Sequence, residues 1–225
     1  MNNLKSLLLA SLVFLVTSSA SAVTIIKFDL GNTGPDLSYS GNVLSTVNDG
    51  DASTTGDQNT AIDYVGFLDG SFADILSGAS LTLANVTSVG MANVSGTLVT
   101  QATSGGTFDV YSASNVLLLS GVLSDGAIVG SNSSSTGSFF NTTVANFTSG
   151  SLLSVVSSSP AAFSISFTNI TSRAGNFLDV TANGLQAFTA DATGQIEGAA
   201  VPEPATVALL LSGVLGGIAK RRRSA

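Results

Sequence analysis

Phe163-Ser164-Ile165-Ser166-Phe167 sets an apolar side chain at every second residue, the period of a strand with one face in a core and the other in water. Phe108-Asp109-Val110-Tyr111 and Leu81-Thr82-Leu83 alternate in the same way, and Val23-Thr24-Ile25-Ile26-Lys27-Phe28-Asp29-Leu30 is rich in β-branched and aromatic residues. The apolar runs at 116–119 and 152–156 read as strands buried on both faces. Ser104-Gly105-Gly106 and Ser124-Asp125-Gly126 are turn sequences between such segments, and Ser-Asn-Ser-Ser-Ser-Thr between Gly130 and Gly137 reads as a surface loop. A single helical turn fits residues 72–79. Many short strands joined by Gly, Asn, Asp and Ser predict an all-β fold, an antiparallel β-sandwich of jelly-roll-like type. No repeat of solenoid or propeller length is present.

The chain has 225 residues, 44% of them hydrophobic and only 9% charged. That length supports one sizeable core, but the charge is far below the roughly 25% usual for a soluble domain. Gly, Ser, Thr, Asn and Ala cover the surface instead. With no cysteine and no histidine, disulfides, thiol nucleophiles, Cys or His metal sites and triads with a histidine base are excluded. Within residues 23–201, Lys27 and Arg173 stand against thirteen acids, a charge of −11. Such a body repels phosphate, so nucleic acid is excluded as a partner.

The two ends read differently. Lys5 makes the start positive, residues 7–16 are apolar except for Ser11, and Ala20-Ser21-Ala22 offers small residues at the −3 and −1 positions. This is the layout of a signal peptide, residues 1–22, cut by signal peptidase after Ala22 with Ala20 and Ala22 in its shallow pockets. The apolar run is about half of the roughly 20 residues a spanning helix needs. At the other end, Pro202-Glu203-Pro204 closes a hinge over 198–204, since two prolines stop helix and central strand alike. Residues 205–219 are apolar except for Thr206 and Ser212 and read as a single transmembrane helix. Fifteen residues span about 22 Å, short for a bilayer core, but snorkelling cations extend the reach. Lys220, Arg221, Arg222 and Arg223 lie in the basic tail, 220–225, which stays cytoplasmic and leaves the body, 23–197, outside.

Pro202-Glu203-Pro204, the apolar segment and the terminal basic cluster, in that order, resemble the PEP-CTERM sorting signal of Gram-negative bacteria. The resemblance covers about 24 residues and implies a membrane-bound precursor processed near the Pro-Glu-Pro motif by an exosortase, an integral-membrane cysteine protease. It implies inner-membrane residence first, then the cell surface or exterior, in bacteria that make exopolysaccharide and biofilm or floc matrix. No Leu-Pro-x-Thr-Gly box of the sortase kind is present.

Eight of the body's thirteen acids fall between Asp29 and Asp74. Asp49, Asp51, Asp57 and Asp63 lie close together with Asn48 and Asn59, a set of oxygens that suits calcium in an exterior compartment, although the EF-hand spacing is absent. The same residues also serve as ordinary turn formers, the simpler account. Glycoside hydrolysis needs two positioned carboxyl groups. Glu197 is the only glutamate in the body and adjoins the hinge, and no nucleophile elbow, phosphate loop or dinucleotide fingerprint occurs, so no catalytic residue is assigned. Tyr39, Tyr64 and Tyr111 are the tyrosines available to stack on sugars, and six Asn-x-Ser/Thr triplets begin at Asn85, Asn93, Asn132, Asn141, Asn146 and Asn169. The expected function is a non-enzymatic surface or matrix protein touching exopolysaccharide through many weak hydrogen bonds. The alternatives are a calcium-dependent carbohydrate-binding module and, third, a secreted aspartate-based hydrolase.

Overall fold

The computed structural model describes residues 23–30, 34–47, 60–67, 78–154, 156 and 161–198, and for 60–67 the backbone only. The signal peptide, the hinge motif, the apolar segment and the basic tail lie outside the described residues, as does most of the expected helical turn at 72–79. Among the described residues there is no helix. The strands are β1 (Val23–Leu30), β2 (Leu37–Ser40), β3 (Val43–Thr46), β4 (Thr60–Phe67), β5 (Ser80–Ala84), β6 (Val86–Ser88), β7 (Asn93–Ser95) and β8 (Leu98–Ser104). They continue as β9 (Thr107–Tyr111), β10 (Leu117–Leu123), β11 (Gly126–Ser131), β12 (Ser138–Ser149), β13 (Ala161–Ser172), β14 (Val180–Thr181), β15 (Gly184–Leu185) and β16 (Phe188–Gly198).

All pairings are antiparallel. The all-β antiparallel body is therefore observed. In place of the two open-edged sheets of the expected jelly-roll-like sandwich, one sheet closes on itself. The reason is strand length: β12, β13 and β16 run for 11 or 12 residues, and β12 and β16 each outrun the shorter strands on the side away from β13. One end of β12 takes β11 and the other takes β10, while β16 takes β2 beside its start and β1 beside its end. Circuits of eight strands result, β1-β4-β5-β9-β10-β12-β13-β16 and β2-β3-β6-β8-β11-β12-β13-β16, sharing the three long strands. Eight strands enclose an interior that side chains just fill.

Filling it falls to inward residues at every second position. Phe163 is the centre: its ring lies 6.4 Å from Phe28 of β1, 5.3 Å from Phe108 of β9 and 6.3 Å from Phe140 of β12. Toward the β2 end, Tyr39 stacks on Phe188 at 5.4 Å, and Phe167 tilts against Phe188 at 5.8 Å. Rings of this size need gaps in the wall. Gly121 and Gly194 supply them, because a Cβ at Gly121 would sit 2.4 Å from the Phe108 ring and one at Gly194 2.5 Å from Phe28.

Where short strands meet end to end, the ladder is repaired by side chains. β5 passes into β6 through Asn85 at φ 59, a left-handed conformation that Asn tolerates. Beside it the Thr46 hydroxyl accepts from the Leu83 amide at 3.0 Å and donates to its carbonyl at 3.4 Å. One expectation is corrected: the apolar run at 152–156 is not a strand but follows a turn at Gly150, φ 115, where Leu152 donates to the Leu118 carbonyl at 2.9 Å. Leu152 and Val156 are buried, so their apolarity reports core packing after the end of β12 rather than a two-faced strand.

Two stability outcomes follow. Phe163→Ala opens a cavity among three rings and should lower the unfolding free energy by about 3–5 kcal/mol, measured by denaturant titration followed by circular dichroism. Thr46→Val keeps the shape but strands the buried Leu83 amide, and should cost about 1–3 kcal/mol in the same measurement.

Candidate functional site

A cleft of about 490 Å³ opens on the outside of the barrel where β1 gives way to β2. Asp29, Leu30, Gly34 and Pro35 form one wall, Thr168, Asn169 and Thr171 the other, and Thr189, Asp191 and Ala192 the floor. That volume lies within the range of small-ligand clefts. Its polar lining groups are hydroxyl, amide and carboxylate, set beside Leu30, Pro35 and Ala192, with no basic residue.

Two local devices shape it. The first is a bulge in β13. Thr168 faces Asp191 and Thr171 faces Thr189, so Asn169 and Ile170 together oppose Ala190. Asn169 absorbs the extra residue at φ 48, which sends Ile170 into the core and Asn169 outward. There its Nδ2 donates to Asp191 Oδ2 at 2.6 Å. The second is Asp36, which is fully buried. Its Oδ2 accepts from the Ala192 amide at 2.6 Å, its own amide donates to the Ala190 carbonyl at 2.9 Å, and its carbonyl accepts from Val47 at 2.9 Å. These bonds tie the Gly34-Pro35 wall to the floor. The polar groups are thus held in place before any ligand arrives.

Beside the cleft the outer surface of the barrel is mostly polar. Register aligns outward Lys27, Gln195, Ser164 and Asn141 in one row across β1, β16, β13 and β12, and Asp29, Thr193, Ser166 and Phe139 in the next. Gln195 Nε2 donates to Glu197 Oε1 at 2.8 Å within the same face. Neighbouring strands stand about 4.8 Å apart, so donors and acceptors recur at that spacing, interrupted by the exposed Phe139.

The sequence-derived candidates distribute as follows. Asp49, Asp51 and Asp57 lie outside the described residues, as do sorting residues 202–204 and 220–223 and the cleavage residues Ala20 and Ala22. Asp63 sits in β4 at a register shift, between the residues opposite Asp29 and Leu30. Among the described residues no three acidic side chains gather closely enough to hold a metal ion. Tyr39 is core, 2% exposed, with its hydroxyl 2.7 Å from Ser88 Oγ, so it offers no platform to a sugar. Tyr111 closes β9, where burial and then the neighbouring Asp109 carboxylate push its phenol above the ordinary tyrosine range. Of the six Asn-x-Ser/Thr asparagines, five are exposed and Asn132 is half-buried. Sequence reasoning placed Asp29 in an acidic stretch and Asn169 only at the start of an Asn-x-Thr triplet, and it missed Asp191. One signal was present: apolar residues at 163, 165 and 167 resume at 170, not 169, the mark of an inserted residue.

No curated protein and no solved structure matches the chain. A family model described as the PEP-CTERM protein-sorting motif matches residues 200–223, the segment holding Pro202, Glu203, Pro204 and the four terminal cations. The chain carries a PEP-CTERM sorting motif at its carboxyl end.

Proposed function

We propose that this is an exported, non-enzymatic surface or matrix protein, delivered through its carboxyl-terminal motif by an exosortase and holding exopolysaccharide on the outer face of the barrel. The motif at 200–223 carries the reading, because a dedicated sorting address is of use only to a protein whose work is outside the cell. In this reading signal peptidase removes residues 1–22, the apolar segment holds the precursor in the inner membrane, and processing near Pro202-Glu203-Pro204 frees the body. The rows of Ser, Thr, Asn and Gln side chains support polysaccharide contact: each hydrogen bond is worth only about 0.5–1.5 kcal/mol net, so affinity comes from many along one chain.

The cleft adds a preference to that contact. Asp29 and Asp191 make it negative with no cation in the lining, which disfavours uronic acids and suits neutral or amino sugars. Absence of His and Cys supports a non-enzymatic role, and Asp191 is already engaged by Asn169. An acid catalyst needs a carboxyl group poised to give up a proton.

Replacing Pro202-Glu203-Pro204 with three alanines should leave the chain at full length in the inner membrane. Intact mass of membrane and medium fractions checks this, and unchanged release of a body ending near residue 202 would sink the sorting reading. Asn169→Ala and Asp191→Ala should weaken co-sedimentation with the producing cells' exopolysaccharide while leaving the circular dichroism spectrum unchanged. Undiminished co-sedimentation would remove the cleft from the contact surface.

A further inference from the structure

Every strand of the two circuits has a hydrogen-bonded neighbour on both sides, with one addition off the path: β7, which pairs only with β8. Its far side is an open edge of the main sheet, with no partner strand among the described residues. An open edge presents unpaired amides and carbonyls to other chains, and proteins usually blunt it with lysine, proline or covering loops. Here the sequence does the opposite. No charged residue occurs between Asp74 and Asp109. Four of the eight large apolar side chains exposed among the described residues, Val89, Met91, Val94 and Leu98, belong to this edge and its connections. Gln101, itself buried, donates through Nε2 to the Val89 and Ala102 carbonyls at 3.1 and 2.9 Å, so the connection bearing Val89 and Met91 is held in place.

The hairpin fixes what the edge offers. A two-residue turn, Gly96-Thr97, joins β7 to β8, with Gly96 at φ 62 in the first position. Ser95 and Leu98 flank that turn and exchange hydrogen bonds, Val94 and Val99 form the next, non-bonded pair, and Asn93 and Thr100 bond again. The amide and carbonyl of Val94 therefore point away from β8, and no turn or loop backbone group among the described residues bonds them. Polar Asn93 and Ser95 flank apolar Val94, so the strand is complementary to itself when run antiparallel about its centre.

We infer that β7 pairs with β7 of a second copy of this chain about a two-fold axis at Val94, joining two barrels edge to edge. Val94 of each copy exchanges both backbone hydrogen bonds with Val94 of the other, and Asn93 of one faces Ser95 of the other. Met91 and Leu98 lie beside the seam and leave water as it closes. A second copy suits this place on charge as well. The body carries −11 over residues 23–201 and repels itself elsewhere, whereas this stretch contributes no charge to oppose contact. The inference stands apart from sorting and from sugar contact.

The chain's lack of cysteine makes the test direct. Full-length V94C, produced in its own host and oxidised with copper-phenanthroline on the cells, should run at twice its mass on a non-reducing gel. V116C, on an exposed valine of the β9–β10 turn, should stay at single mass. In a mixture of N93C and S95C chains the cross-linked species should contain one of each, because facing residues in an antiparallel pair bring their Cα atoms within disulfide reach. That mixture also serves should V94C fail to fold. A single-mass V94C, or equal cross-linking of V94C and V116C, overturns the pairing, as does a mixture that stays monomeric.

Discussion

The ring of Phe163 is the constraint around which the barrel is organised. A closed sheet leaves no freedom to slide its walls apart, so interior volume must match side-chain volume strand by strand. Phe163 reaches the strands on opposite sides of the enclosure through Phe28, Phe108 and Phe140. Two of those rings lie over positions where even a methyl group would collide, Gly194 and Gly121. Large residues on some strands thus require the smallest residue on others. This coupling sets which strands face one another in a chain without cysteine and hence without any disulfide.

Closure also creates the site. A barrel built from strands of unequal length must contain joints, and a joint buries backbone groups that no neighbouring strand can serve. Thr46 and Asp36 answer that need with side-chain oxygens. At the β1–β2 joint the repair leaves a concavity lined with polar groups, and the bulge in β13 turns Asn169 into it. The cleft is a by-product of topology that the surface chemistry can use.

Much of the local structure was legible from residue order. Phe163 to Phe167, Leu81 to Leu83 and Phe108 to Tyr111 all fall in strands with the expected faces inward, and the loop before Gly137 separates β11 from β12. Alternation reports which way a side chain points, but not which strand lies alongside, so a sandwich and a closed sheet read alike. The partnership of Asp29 with Asp191 spans 162 positions and leaves no local trace. Leu152 misled because apolarity packed into the core after a strand ends and apolarity within a strand look the same in sequence. The sorting motif was readable for the opposite reason: its three parts act in order along the chain.

One pairing bears on how the molecule reaches its folded state. β1, the first strand of the body, lies against β16, the last, with Val23 opposite Gly198. The ring therefore stays open until almost the whole body is available to fold. Early strands wait for their partners, and contacts this distant in sequence form slowly. Val23 and Gly198 thus meet at one rim of the barrel, while Asp29 lies six residues along β1, about 20 Å away. The two ends of the described body therefore close the same seam, several strand positions from the cleft that Asp29 and Asp191 line.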